Sequence, residues 1–199
     1  MSKILLLATL FTLSTVAVQG QAEPANAVFW KELQKLCGKA FAGTVAVDTA
    51  NSPDFANKAM VMHVRLCEKN GVRIPFFVGD DRSRTWVLTK QKDRILLKHD
   101  HRHKDGTPDK VTMYGGLSTN TGMATRQFFP ADEETVKIVP VPAGNAAPSA
   151  AANIWWLDLV PGEHFTYNLR RIGSDRLFSV KFDLKSPVKA PEAPWGWKD

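Results

Sequence analysis

The sequence predicts a mainly β protein: an antiparallel up-and-down barrel of about ten strands with one short N-terminal helix. Three observations carry that expectation. From Phe41 onward, short runs alternate apolar and polar residues with the period of two that a half-buried strand requires. Turn-forming clusters punctuate these runs: Asn70-Gly71, Asp105-Gly106-Thr107-Pro108-Asp109, Pro161-Gly162 and Gly173-Ser174-Asp175. Only residues 26–36 show the spacing of an amphipathic helix, with Phe29, Leu33 and Leu36 on one face and Gly38 placed to end it. Regular short strands joined by tight turns favour a sandwich or barrel, and a closed barrel leaves no unpaired edge.

The chain begins with Met1-Ser2-Lys3, an apolar run from Ile4 to Val18 and small residues at Gly20 and Ala22. This is the pattern of a secretory signal peptide, expected over 1–22, with cleavage after Ala22 or alternatively after Gly20. The apolar run is shorter than the ~20 residues that span a bilayer. The chain then reads as one domain, 23–186, followed by a Pro/Trp-rich C-terminal tail, 187–199, that carries Pro191, Pro194, Trp195 and Trp197. Secretion or a periplasmic location follows from the leader. The two cysteines, Cys37 and Cys67, are expected to form a disulfide in such a compartment.

The strand candidates run in order through 41–47, 59–67, 72–78, 85–89, 94–102, 110–114, 124–129, 155–160, 164–171 and 177–184. Pro75 marks an edge or an irregularity. Residues 143–152 are rich in Ala, Gly and Pro and read as a loop, and Asp132-Glu133-Glu134 reads as a loop charge cluster. Lys and Arg total 26 against 20 Asp and Glu, giving a formal charge of +6. The basic residues are interleaved with acidic ones, so nucleic acid is not an expected partner.

The residues with chemical capability gather in 94–109. His99, His101 and His103 alternate with Lys98, Asp100 and Arg102, so the histidines are expected on the inner face with Ile95 and Leu97, and the charged set on the solvent side. Two histidines at i and i+2 on a strand can both reach one ion, and His99 and His101 with His63 form the candidate metal set. The same imidazoles could instead orient a ligand or satisfy the mouth of the sheet. On the neighbouring run, Arg82, Arg84, Trp86 and Leu88 share a face. Arg84 there could hold an acidic group, since a guanidinium fork matches a carboxylate, or pair with Asp80, Asp81 or Asp100 at the rim. No nucleophile elbow, HExxH, phosphate-binding loop or dinucleotide fingerprint occurs, so the sequence assigns no catalytic residue.

A helix, then Gly43 in the first strand, then consecutive hairpins resembles the calycin group, which includes lipocalins and fatty-acid-binding proteins. The pattern covers most of the chain after the leader. The lipocalin signature has Trp two residues after the first-strand Gly, whereas this chain has Val45, so no residue role is carried across. The chain also resembles exported bacterial proteins, a likeness that implies no activity. The resemblance implies a barrel able to enclose a small ligand. The expected function is therefore binding of a small, partly apolar ligand with an acidic group, using Arg84, Trp86, His99, His101 and Met113. The alternatives are a metal-binding protein or metal-dependent enzyme built on the His99/His101/His103 cluster, and an envelope interaction protein with a filled barrel.

Overall fold

The computed structural model describes residues 22–139 and 149–197. The leader expected over 1–22 lies, apart from its last residue, outside the described residues, as do the first residues of the 143–152 loop. The protein is mainly β, with a ten-stranded antiparallel barrel that is nearly closed.

Helix α1 (Ala25–Gln34) comes first and buries Phe29, Trp30 and Leu33 completely or nearly so. Its side chains reach across to the far wall: the Trp30 indole donates to the Lys69 carbonyl at 3.3 Å and the Gln34 amide to that of Glu68 at 2.9 Å. The helix thus plugs one end of the barrel. Gly38, at φ +78°, turns the chain out of it, a conformation that glycine adopts without a Cβ clash. The disulfide Cys37–Cys67 ties this end to the wall.

Strands β1 (Ala40–Asp48), β2 (Met60–His63), β3 (Leu66–Cys67), β4 (Gly71–Val78), β5 (Asp81–Lys90), β6 (Ile95–His101) and β7 (Tyr114–Leu117) form one half. Strands β8 (Arg126–Pro130), β9 (Asn153–Val160), β10 (His164–Arg171) and β11 (Leu177–Val188) form the other. The hydrogen-bonded order is β7-β6-β5-β4-β2-β1-β11-β10-β9-β8, with the two-residue β3 paired to β4 beside that path. The β1–β11 ladder joins the two halves.

Several elements differ from the sequence expectation. The run 59–67 is not one strand. It breaks at 64–65, where Val64 exchanges backbone hydrogen bonds with Gly38 and Lys39 instead of with β4. The break lies opposite Ile74 and Pro75, between the pairs Met62↔Phe76 and Leu66↔Arg73. A residue with no N–H sits there at no cost to the ladder. The expected strand at 110–114 starts only at Tyr114. The cluster Asp132-Glu133-Glu134 opens a short helix, α2 (Glu133–Ile138): Asp132 is its N-cap and accepts from the Thr135 N–H. The tail boundary expected at 187 falls inside β11, which runs to Val188.

The outer face of β6 is not at the solvent, contrary to expectation. Lys98 is 6 % exposed because α2 lies over it, and its ammonium donates to Asp132 at 2.6 Å and Glu134 at 2.8 Å. Asp100 is equally covered and accepts from Arg102 at 3.0 Å. The C-terminal segment packs nearby: Trp195 N–H donates to Arg82 C=O, and the Trp197 ring lies under the Arg65 and Arg73 guanidiniums.

Strands β7 and β8 meet without a hydrogen-bonded ladder, and this is the seam of the barrel. Side chain substitutes for strand there: the Thr135 hydroxyl accepts from Gly115 N–H at 2.7 Å, and Asp132 N–H donates to Gly115 C=O. Backbones come so close that a Cβ on Gly116 would lie 1.7 Å from the Pro130 carbonyl oxygen. A Gly116→Ala substitution must therefore push the seam apart. We expect a loss of roughly 2–4 kcal/mol, as for severe core overpacking, read as a lowered urea midpoint. Replacing Cys37 and Cys67 with serine should cost about 3.5 kcal/mol by the chain-entropy model of a 30-residue closure. Chemical denaturation of the variant beside the oxidised protein measures it.

Candidate functional site

The barrel interior is packed with its own side chains for most of its depth. Met62, Val72, Ile74, Leu88, Leu97, Leu157, Leu159, Phe165, Val180 and Phe182 are all buried above the helical plug. A layer of aromatic rings closes this core. Trp86 stacks on Tyr167 at 4.5 Å and 12° and on Phe76 at 4.9 Å and 18°. Beyond that layer, at the end away from α1, lies a chamber of about 130 Å³.

Two histidine–tyrosine pairs line it. His99 Nδ1 lies 3.0 Å from the Tyr114 carbonyl oxygen, which can only accept, so Nδ1 carries the proton. Nε2 is then the acceptor, and the Tyr167 hydroxyl donates to it at 2.8 Å. This sets the tautomer. His99 also stacks on the Tyr114 ring at 4.6 Å. The second pair is His101 Nε2 with the Tyr114 hydroxyl, 3.0 Å apart. Burial drives the His99 pKa down to about 3. Burial, helped by the nearby Arg84 charge, takes His101 down to about 4. Burial also pushes Tyr114 up to about 12 and Tyr167 upward. All four groups are neutral at physiological pH, so they supply polarity without charge.

Charge is supplied at the mouth. Arg84 of β5 pairs with Asp81 and lies 5.7 Å from the Phe55 ring centroid. Arg176, in the turn before β11, pairs with Asp48 and lies 5.5 Å over Phe178. Both line the chamber. Phe55, from the β1–β2 connection, completes the rim.

Of the sequence-predicted ligand residues, Arg84, Trp86, His99 and His101 all line this chamber. Arg84 does so while also making the rim ion pair that was its alternative. Met113 does not line it: the residue is 43 % exposed at φ +57°, outside the strand, and Tyr114 occupies the inner position. His103 has left β6 and is exposed in the turn. His63 does not join His99 and His101. It lies on the outer face of β2, alternating with the inward Met60 and Met62, and β4 and β5 separate β2 from β6. Its Nδ1 is buried without a hydrogen-bond partner. Among the described residues, no group of three or more His, Cys, Asp or Glu side chains is placed to hold a metal ion.

Sequence reasoning missed Tyr114, Tyr167, Phe55 and Arg176. Tyr167 was within reach, since it alternates in phase with Phe165 and Leu169. Arg176 and Asp48 are 128 positions apart, and only the β1–β11 ladder brings them together.

No known protein family matches the chain, and no curated protein or solved structure is found to be similar. The fold is a nearly closed antiparallel β-barrel compatible with a calycin-like architecture. Among the described residues, no helix is long and apolar enough to cross a membrane.

The histidines make stability acid-sensitive. Each has a folded pKa below its unfolded value of about 6.5. As pH falls below that value the unfolded chain takes up protons that the native state does not, so stability declines. We expect the two together to remove roughly 3–6 kcal/mol between pH 6.5 and about pH 4. Asp48 and Asp81, held low by their arginines and hydrogen bonds, add further loss at still lower pH. Urea titrations across this range test it. His99→Phe should flatten the slope while lowering stability at pH 7, because the Tyr167 hydroxyl and Tyr114 carbonyl lose their partner.

Proposed function

We propose that this protein is an exported binding protein for a small, partly apolar ligand with an acidic group. The observation that carries this reading is the convergence of two guanidiniums, Arg84 and Arg176, on one aromatic chamber at the barrel mouth. Each guanidinium has five N–H donors. The Asp81 and Asp48 contacts leave donors free to bind a ligand carboxylate. Phe55, Phe76, Trp86 and Phe178 supply the apolar surroundings. The neutral His101–Tyr114 pair supplies an uncharged hydrogen-bonding edge. Export rests on the leader-like start of the sequence, and the Cys37–Cys67 disulfide is consistent with an oxidising compartment.

The test is calorimetry on the purified protein with apolar monoacids from benzoate to 4-phenylbutyrate, each beside its neutral amide. We expect at least one acid to bind and its amide to bind at least tenfold more weakly. Arg176→Gln should weaken the acid by a further tenfold or more, the size of a lost charge-assisted hydrogen bond of about 1.5–3 kcal/mol. No acid binding, or equal binding of acid and amide, would overturn the proposal.

A further inference from the structure

A second cavity, a groove of about 330 Å³, lies under the 51–58 segment of the β1–β2 connection. Its position follows from the sheet register. The β1–β2 ladder ends at Gly43↔Met60, so the rest of β1 pairs only with β11. Gly43 and Val45 are opposite Phe182 and Val180, both fully buried in the core. Residues directly opposite on antiparallel strands share a face. Val45 therefore faces the inside of the barrel, yet it is 37 % exposed. The groove it lines with Gly43 and Met60 is thus a corner of the barrel interior left uncovered where β2 is missing.

The groove and the chamber meet at Phe55, beside the Asp48–Arg176 ion pair. Phe55 lines both. It is seated against Phe178 at 4.5 Å and Phe76 at 6.5 Å, with Arg84 on its ring. The backbone that carries it is held by Asp48, whose carboxylate accepts from Ala50 N–H at 3.2 Å and Ser52 N–H at 2.9 Å, and by the turn in which Phe55 N–H donates to Ser52 C=O and Lys58 N–H to Phe55 C=O. The same carboxylate pairs with Arg176.

We infer that Phe55 is the specificity-determining wall of the ligand site: it confines the ligand to a short monoacid whose carboxylate sits directly on its ring, and the groove behind it is the room the longer apolar part of a chain-extended acid would occupy once the wall is removed. This rests on the acid-binding reading above. At about 130 Å³ the chamber is close to the ~150 Å³ of an engineered apolar cavity that takes up benzene, the scale of one small ring. The groove is more than twice as large, and Phe55 is the residue that lines both.

The experiment compares benzoate and 4-phenylbutyrate on the wild type, on Phe55→Ala, and on Phe55→Ala with Val45→Trp, which refills the groove. Near-ultraviolet circular dichroism and the urea midpoint of each variant establish that it is folded. The wild type should bind benzoate at least tenfold more tightly than 4-phenylbutyrate. Phe55→Ala should shift that ratio at least tenfold toward 4-phenylbutyrate, and Val45→Trp should cancel the shift. A folded Phe55→Ala that keeps the wild-type preference overturns the inference while leaving acid binding intact. If Phe55→Ala does not fold, Phe55→Leu must give a partial shift of the same sign, and its absence overturns the inference equally. Failure of both acids on every folded form removes the underlying reading instead.

Discussion

The three-ring stack of Phe76, Trp86 and Tyr167 is the contact on which both halves of the interior depend. It runs from β4 and β5 across the barrel to β10, so it braces opposite walls with large, rigid side chains. On the plug side it is the lid of an apolar core. On the other it is the floor of the only interior space that the site residues share among the described residues.

The polar groups above that floor follow a consistent division. Those that point inward in uncharged form, His99, His101, Tyr114 and Tyr167, satisfy one another. Those that must stay charged, Arg84 and Arg176, are kept at the rim with a carboxylate each. Burial of an unpaired charge costs far more than burial of a hydrogen-bonded neutral group. That difference explains why the imidazoles are held deprotonated and why the guanidiniums stop where water still reaches them.

Much of the barrel was legible because its strands obey the period-two rule closely. In β9, Asn153, Trp155, Leu157 and Leu159 are buried and their neighbours are not, and β10 occupies the same residues, 164–171, that the pattern marks. The inward phase of His99, His101, Arg84 and Trp86 was legible for the same reason. What the pattern hides is tertiary override. Lys98 and Asp100 look solvent-facing until α2 and the 102–112 segment cover them. The run 59–67 looks continuous until Gly38 and Lys39 capture Val64. Asp132 followed by Glu133 and Glu134 does carry a readable helix start, an N-cap residue with an acidic first turn. The pairing of Asp48 with Arg176 and the seating of Phe55 leave no local trace, since each depends on residues more than a hundred positions away or on another strand's end.

The β1–β11 ladder has a consequence for how the molecule is made. It joins the first strand in the chain to the last, so the longest-range contacts in the chain are also the ones that unite the two halves of the barrel. Such contacts carry the largest loop-closure entropy and form late. A chain emerging N-terminus first has nothing to pair with β1 beyond Gly43 until β11 has appeared. During that interval Val45 and Val47 present an open strand edge, the kind of surface that recruits other chains. The Cys37–Cys67 bond lies wholly within the early segment and can form before closure. The first third of the protein is thereby fastened to its helix while it waits for the last strand.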